Sequence, residues 1–337
     1  MRRGGRKTMF SRRYQIMTEQ WVEARRQARR RRLRIAGYIA LALLVIAAGV
    51  AAYFQFRPAP PPPNNYVSTI DVSGQDRPYH VHLPPSYDNR TPLPVVMVFH
   101  GYGQTPEGIR EMTGFDDAAD AHDFIVVYPA GFLRVWEVEN INLHQADDLE
   151  FIEALIERLD EELAIDRSRI YATGFSNGAM FTQRLACMMP GHFAAFAGVG
   201  GALPRTLAAG ECEPDEPAPM LLVNGTRDPS TRYEGTFDWL ESVPDTVDFW
   251  VQANGCDAEA AVDDLPDRGD GDSTSVTRLS YGGCEGGADV VLYRIEDGGH
   301  QWPGGGMLLE RRYGRMTTDL PATEMIWAFF AEHARAE

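Results

Sequence analysis

Positive charge is scarce in this 337-residue chain once the N-terminus is passed. Residues 1–57 hold 14 of the 32 lysines and arginines and 2 of the 48 acidic residues, which leaves 18 basic and 46 acidic side chains beyond them, a net of −28. A domain so charged lacks the cations that phosphate contacts need, so nucleic acid is excluded as a partner. Neutral substrates are favoured over polyanions, and the charge also keeps the protein soluble. Metal and nucleotide signatures are missing too. There is no H-E-x-x-H, no C-x-x-C and no G-x-x-x-x-G-K-[ST] loop, so neither a metal site nor a cofactor is expected. No internal repeat interrupts residues 66–337, which read as one domain. Cysteine is sparse, with four in all, at Cys187, Cys212, Cys256 and Cys284.

The N-terminus has what the rest lacks. Seven arginines between Arg25 and Arg34 precede an uncharged run at 35–54. Twenty apolar residues suffice to span a hydrocarbon core of ~30 Å as a helix. The arginines favour the cytoplasmic side, which sends the C-terminal bulk across the membrane. The expected organisation is a basic cytoplasmic segment at 1–34, a transmembrane anchor at 35–56, a stiff proline-rich linker at 57–65 and a globular domain at 66–337. A cleaved signal peptide competes with the anchor, because the small residues at 47–52 suit a peptidase. Beyond the membrane the compartment is oxidising and disulfides are permitted. Of the three pairings that four cysteines allow, Cys187–Cys212 with Cys256–Cys284 closes two short loops and is the one expected.

In the domain, short apolar runs alternate with helical patterns. Strands are expected at 79–83, 95–99, 125–128, 170–173, 196–199, 220–223 and 290–295, with helices near 148–163, 179–188, 244–253 and 322–333. This alternation predicts an α/β fold with a mostly parallel central sheet and helices on both faces. Residues 257–273, acidic and glycine-rich, read as a surface loop. Segments 274–281 and 289–295 read as a hairpin.

Gly174-Phe175-Ser176-Asn177-Gly178 fits the G-x-S-x-G nucleophile elbow, with an apolar strand before it and a helical run after it. A serine on such a turn presents its hydroxyl at the carboxyl edge of the sheet, and the helix N-terminus favours an oxyanion beside it. A serine needs a base, and the base needs an orienting carboxylate. Asp228 follows the strand at 220–223 and His300 follows that at 290–295, in the chain order Ser, Asp, His that this arrangement uses. Singly, Asp228 also suits an Asp-Pro turn and His300 a surface loop. The oxyanion donors expected are the N–H of Asn177 and one from the loop after the strand at 95–99, with Tyr102 first and Gly101 its rival; turn chemistry alone would also explain that loop. Trp136, Phe175 and Trp302 are candidates to line an acyl pocket, although aromatics more often fill cores. The carboxylates near Asp148 are explained by an Asp147 helix cap with Glu150 at the third position.

The segments 99–103, 173–180, 224–235 and 298–304, with 281–284 and 322–327, resemble the polyhydroxybutyrate depolymerase-like esterases, a family that includes feruloyl and acetylxylan esterases. The resemblance runs from about Tyr66 to His333. It implies the α/β-hydrolase fold, carboxylic ester hydrolysis and Ser176, Asp228 and His300 as the triad. The stretch between Trp136 and Asp147 is short and lacks cysteines that many relatives carry, and no polymer-binding module is evident. Both features point to small or oligomeric esters rather than crystalline polyester. A peptidase of the same fold and a catalytically inactive, membrane-tethered binding module are the alternatives.

Overall fold

The computed structural model describes residues 64–139, 147–236, 238–268 and 271–335, and, nearer the N-terminus, helical residues at 21–23, 25–26, 29–34, 37–38 and 40–48. The chain divides into two units, residues 1–60 and 61–337. In the first, the expected span at 35–56 lies partly outside the described residues. Among those described, no helix is long and apolar enough to cross a membrane.

The second unit is built on a ten-stranded sheet of order β1-β2-β4-β3-β5-β6-β7-β10-β9-β8. Its strands are β1 (Asn65–Val72), β2 (Gln75–His82), β3 (Leu93–Phe99), β4 (Ile125–Pro129), β5 (Ile165–Phe175), β6 (Ala195–Val199), β7 (Met220–Gly225), β8 (Ala261–Asp264), β9 (Ser275–Tyr281) and β10 (Val290–Glu296). The middle six, from β4 to β10 in that order, run parallel. The edges are antiparallel, so the sheet is mixed, with a parallel centre. The 95–99 run is wholly buried because helices cover both faces. Val95, Met97 and Phe99 point into one core and Val96 and Val98 into the other, as the two-residue period of a strand requires. Helices α3 (Asp148–Glu162), α4 (Asn177–Met188) and α5 (Val243–Ala253) supply the first core through Phe151, Phe181 and Trp250. The second takes Ile109 of α1 (Pro106–Thr113), Phe115 of α2 (Phe115–His122) and Phe330 of α7 (Ala322–Ala331). A short α6 (Glu310–Tyr313) precedes α7.

The structure corrects the sequence reading at three places. Residues 65–72 form an unexpected strand, and the strand expected at 79–83 begins at Gln75. The two are joined by Ser73-Gly74, both with positive φ (53° and 82°), the two-residue turn that suits strand twist. Inside the expected loop at 257–273, residues 261–264 form β8, an exposed edge strand whose acidic side chains hide it from a hydrophobicity pattern. Helices α1 and α2 were not anticipated, although Thr105 caps α1 by accepting from the Gly108 N–H and Pro106 follows it at the first helical position. The hairpin expected at 274–295 forms as β9 and β10. Asp147 caps α3 by accepting from the Leu149 N–H (2.8 Å); Glu150 does not complete the box but accepts from the Ser73 hydroxyl. Disulfides join Cys187 to Cys212 and Cys256 to Cys284. The first ties the end of α4 to the segment before β7, and the second ties the end of α5 to the β9–β10 loop. Such pairs suit an oxidising compartment.

Candidate active site

The parallel strands β3, β5, β6, β7 and β10 end at one edge of the sheet, and Tyr102, Ser176, Asp228 and His300 follow the ends of β3, β5, β7 and β10. Ser176 sits between β5 and α4 with φ 56° and ψ −117°, a conformation that costs a non-glycine residue of order 1–3 kcal/mol. The turn is held by the Ser176 N–H donating to the Val199 carbonyl (2.9 Å). Its flanking glycines are required by packing. A Cβ on Gly174 would lie 2.5 Å from the Gly178 carbonyl carbon, and one on Gly178 would lie 2.2 Å from the Phe99 carbonyl oxygen. Helix α4 therefore starts against the end of β3, which brings the serine beside the β3 loop.

Asp228 lies just beyond β7, buried. Its Oδ1 accepts from the N–H groups of Ser230 (2.7 Å) and Thr231 (2.8 Å). Its Oδ2 lies 2.6 Å from His300 Nδ1. A carboxylate only accepts, so Nδ1 carries the proton and Nε2 keeps its lone pair. The turn-forming role of Asp228 and its contact with histidine coexist, one oxygen for each. Thr231 escaped the sequence reading. Its hydroxyl is 2.8 Å from both Asp228 Oδ2 and the Gly200 carbonyl, so it anchors the acid to the end of β6. The Asp-x-x-Thr spacing is the signal that could have found it. His300, equally buried, packs its ring on Phe175 at 4.7 Å. The backbone N–H of His300 donates to the Tyr313 carbonyl, and the Gln301 side chain pins the following loop at Leu308 and Gly314.

The loop after β3 is a turn. The Gln104 N–H donates to the Gly101 carbonyl (3.1 Å), and Gly103 takes the left-handed φ of 74° that this turn needs. The Gly101 N–H is already engaged by Gln104 Oε1 (2.8 Å). The N–H groups of Tyr102 and Asn177 have no acceptor among the described residues, whereas the Tyr102 side chain is 76% exposed. His100 is fully buried. Its Nδ1 donates to the Gly101 carbonyl (2.8 Å), and its Nε2 accepts from the Gly131 N–H (3.0 Å). A cavity of about 400 Å³ opens beside this loop, with His100, Gln104, Leu133 and Arg134 in its wall.

The aromatic candidates lie deeper than expected. Trp136 is 1% exposed, stacked on Phe181 at 4.8 Å, with its indole N–H donating to the His100 carbonyl. Trp302 is fully buried and donates to Thr323 Oγ1. Neither offers a surface to a ligand, which corrects the expectation of an acyl pocket lined by the two. Phe175 is buried as well and backs the His300 ring.

Burial pushes the His100 imidazole below its ordinary value; the bond to the Gly101 carbonyl opposes this, and Arg134 adds to it. The folded protein then binds that proton less readily than the unfolded chain, whose histidines titrate near ~6.5. Stability is therefore lost as pH falls below ~6.5, until the lower folded-state value is reached. His80 shifts in the same direction through burial and adds to the slope. Urea midpoints should fall between about pH 7 and 5 more steeply for the wild type than for His100→Asn. Equal slopes would remove His100 from this account.

A mixed sheet with a parallel centre, helices on both faces and a serine on a strained strand-to-helix turn defines an α/β-hydrolase fold. Residues 71–243 match the family described as "Putative esterase", and the chain belongs to that family. It is a carboxylic ester hydrolase of the serine type. The chain is similar to "Putative esterase NocK" of Nocardia uniformis subsp. tsuyamanensis, 29% identical over 255 residues, covering 70% of this chain and 73% of the relative. It is also similar to feruloyl esterase D of Neurospora crassa, 25% identical over 251 residues, covering 70% and 78%. Among solved structures, the acetyl xylan esterase from Aspergillus awamori superposes with a TM-score of 0.55 at 14% identity, over 79% of this chain and 99% of that one. At that identity the likeness concerns the fold.

Proposed function

We propose that Ser176, His300 and Asp228 form a catalytic triad that hydrolyses carboxylic esters through an acyl-enzyme. The observation that carries this reading is the 2.6 Å contact between His300 Nδ1 and Asp228 Oδ2, which leaves the lone pair on Nε2 of a ring that packs on Phe175, the residue before Ser176. Ser176 Oγ attacks the ester carbonyl and His300 Nε2 takes its proton. The tetrahedral oxyanion is held by the N–H groups of Asn177 and Tyr102, since that of Gly101 is already engaged. His300 then protonates the departing alcohol. In the second half-reaction it activates water against the acyl-enzyme, releasing the acid and restoring the serine.

The substrates are small or oligomeric esters: feruloyl or acetyl esters of plant polysaccharide, or hydroxybutyrate oligomers. The likeness to a feruloyl esterase and the strongly acidic domain, which disfavours polyanions, support that class. The full-length protein should turn over at least one member of a panel of p-nitrophenyl esters, feruloyl and acetyl sugars and hydroxybutyrate oligomers. Failure on all of them would overturn the reading.

The N-terminal run is proposed as an uncleaved anchor that holds the domain on the far side of the membrane. Activity should pellet with membranes and disappear when spheroplasts are treated with protease. Activity free in the medium, on a chain that begins near Tyr53, would identify a cleaved signal peptide instead.

A further inference from the structure

The two oxyanion donors of the proposed mechanism come from separate elements. Tyr102 belongs to the loop after β3, and Asn177 is the first residue of α4. Stabilising a developing oxyanion requires both N–H groups to be fixed relative to each other before substrate arrives. The intervening stretch 131–136 makes that connection.

At one end, the Asn177 carboxamide brackets the Trp136 backbone: Oδ1 accepts from its N–H (2.8 Å) and Nδ2 donates to its carbonyl (3.1 Å). At the other end, three bonds reach the oxyanion loop. The Trp136 indole N–H donates to the His100 carbonyl (3.0 Å), the Gly131 N–H donates to His100 Nε2, and the Arg134 carbonyl accepts from the Gly103 N–H (2.8 Å). Between these contacts Leu133 and Arg134 both take left-handed φ, 50° and 65°. Two consecutive strained residues persist only where surroundings over-determine them. His100, Trp136 and Asn177 are all buried, so water does not compete for the bonds these three make; Gly103 and Arg134 are exposed.

We infer that residues 131–136 are a splint that sets the spacing of the two oxyanion donors, with Trp136 as its positioning residue and the Asn177 side chain as its fastening to α4. Asn177 thus serves twice, through its backbone N–H towards the substrate and through its carboxamide towards Trp136. The inference rests on the triad and oxyanion reading above.

Trp136→Phe keeps an aromatic ring against Phe181 and removes the indole N–H. Removing an oxyanion donor outright costs ~10²–10³ in kcat; displacing one should cost about 10- to 100-fold, with KM changed by less than about threefold. Asn177→Ala keeps the backbone N–H and should give a loss of the same order. Because both act through one splint, the double variant should lose little more than either single variant. Each kcat is divided by the number of active sites, counted by end-point labelling with a fluorophosphonate. A boronic acid that mimics the tetrahedral intermediate should weaken in parallel with kcat/KM. If the variants merely melt earlier, with fewer labelled sites but unchanged kcat per site and unchanged boronate affinity, the splint is wrong. Should Trp136→Phe fail to fold, Asn177→Ala is read by the same two criteria. A wild-type protein that does not label at Ser176 would instead remove the triad reading beneath the inference.

Discussion

Replacing Ser176 by alanine is expected to lower kcat for ester hydrolysis by roughly 10⁶-fold, the loss seen when a serine hydrolase is deprived of its nucleophile. The fold should survive. The Ser176 hydroxyl has no hydrogen-bond partner among the described residues, and what holds the turn is its backbone N–H on Val199 and the backbone packing of Gly178 on Phe99. Alanine at φ 56° meets the strain that serine already meets, so the melting temperature should stay close to wild type. Turnover above about a hundredth of wild type in that variant would place the chemistry elsewhere.

The second large effect is expected at Asp228, and it turns on the histidine tautomer. In Asp228→Asn, the amide oxygen can still accept from the Ser230 and Thr231 N–H groups, which turns the NH₂ towards His300 Nδ1. Nδ1 must then accept, so the ring proton moves to Nε2 and faces the serine it should deprotonate. A drop in kcat of about 10⁴ follows from that reversal. Thermal stability should change far less, because the number of hydrogen bonds is preserved. Circular dichroism melts with kcat/KM on the same preparation separate the two effects. A variant within about tenfold of wild type would show that Asp228 only shapes its turn.

Much of this site is legible in the sequence because its parts are punctuated by strand ends. Runs 170–173, 220–223 and 290–295 are short and apolar, and Ser176, Asp228 and His300 stand just past each, in the chain order that the proposed triad uses. The fold's centre was legible for the same reason. Its edges were not. Strand β8 pairs through backbone alone and carries exposed, acidic residues, so no hydrophobic alternation marks it. The β1–β2 hairpin was signalled by Ser73-Gly74, but β1 buries only two of its eight side chains. The sequence places Trp302 two positions from His300, and it shows neither for that indole nor for Trp136 which way the ring faces. Their N–H groups are satisfied inward, on His100 and Thr323. The proposed preference for Tyr102 over Gly101 needs three dimensions too, since it rests on the Gln104 side chain folding back onto the Gly101 N–H.

The most direct measurement is active-site labelling. A fluorophosphonate reacts only with a serine whose proton is drawn off by a base and whose oxyanion is supported. Treated with such a probe, digested and analysed by mass spectrometry, the protein should carry one adduct, on Ser176. That adduct should be lost in Ser176→Ala and strongly slowed in Asp228→Asn. An adduct on another residue, or one that persists in Ser176→Ala, would contradict the account.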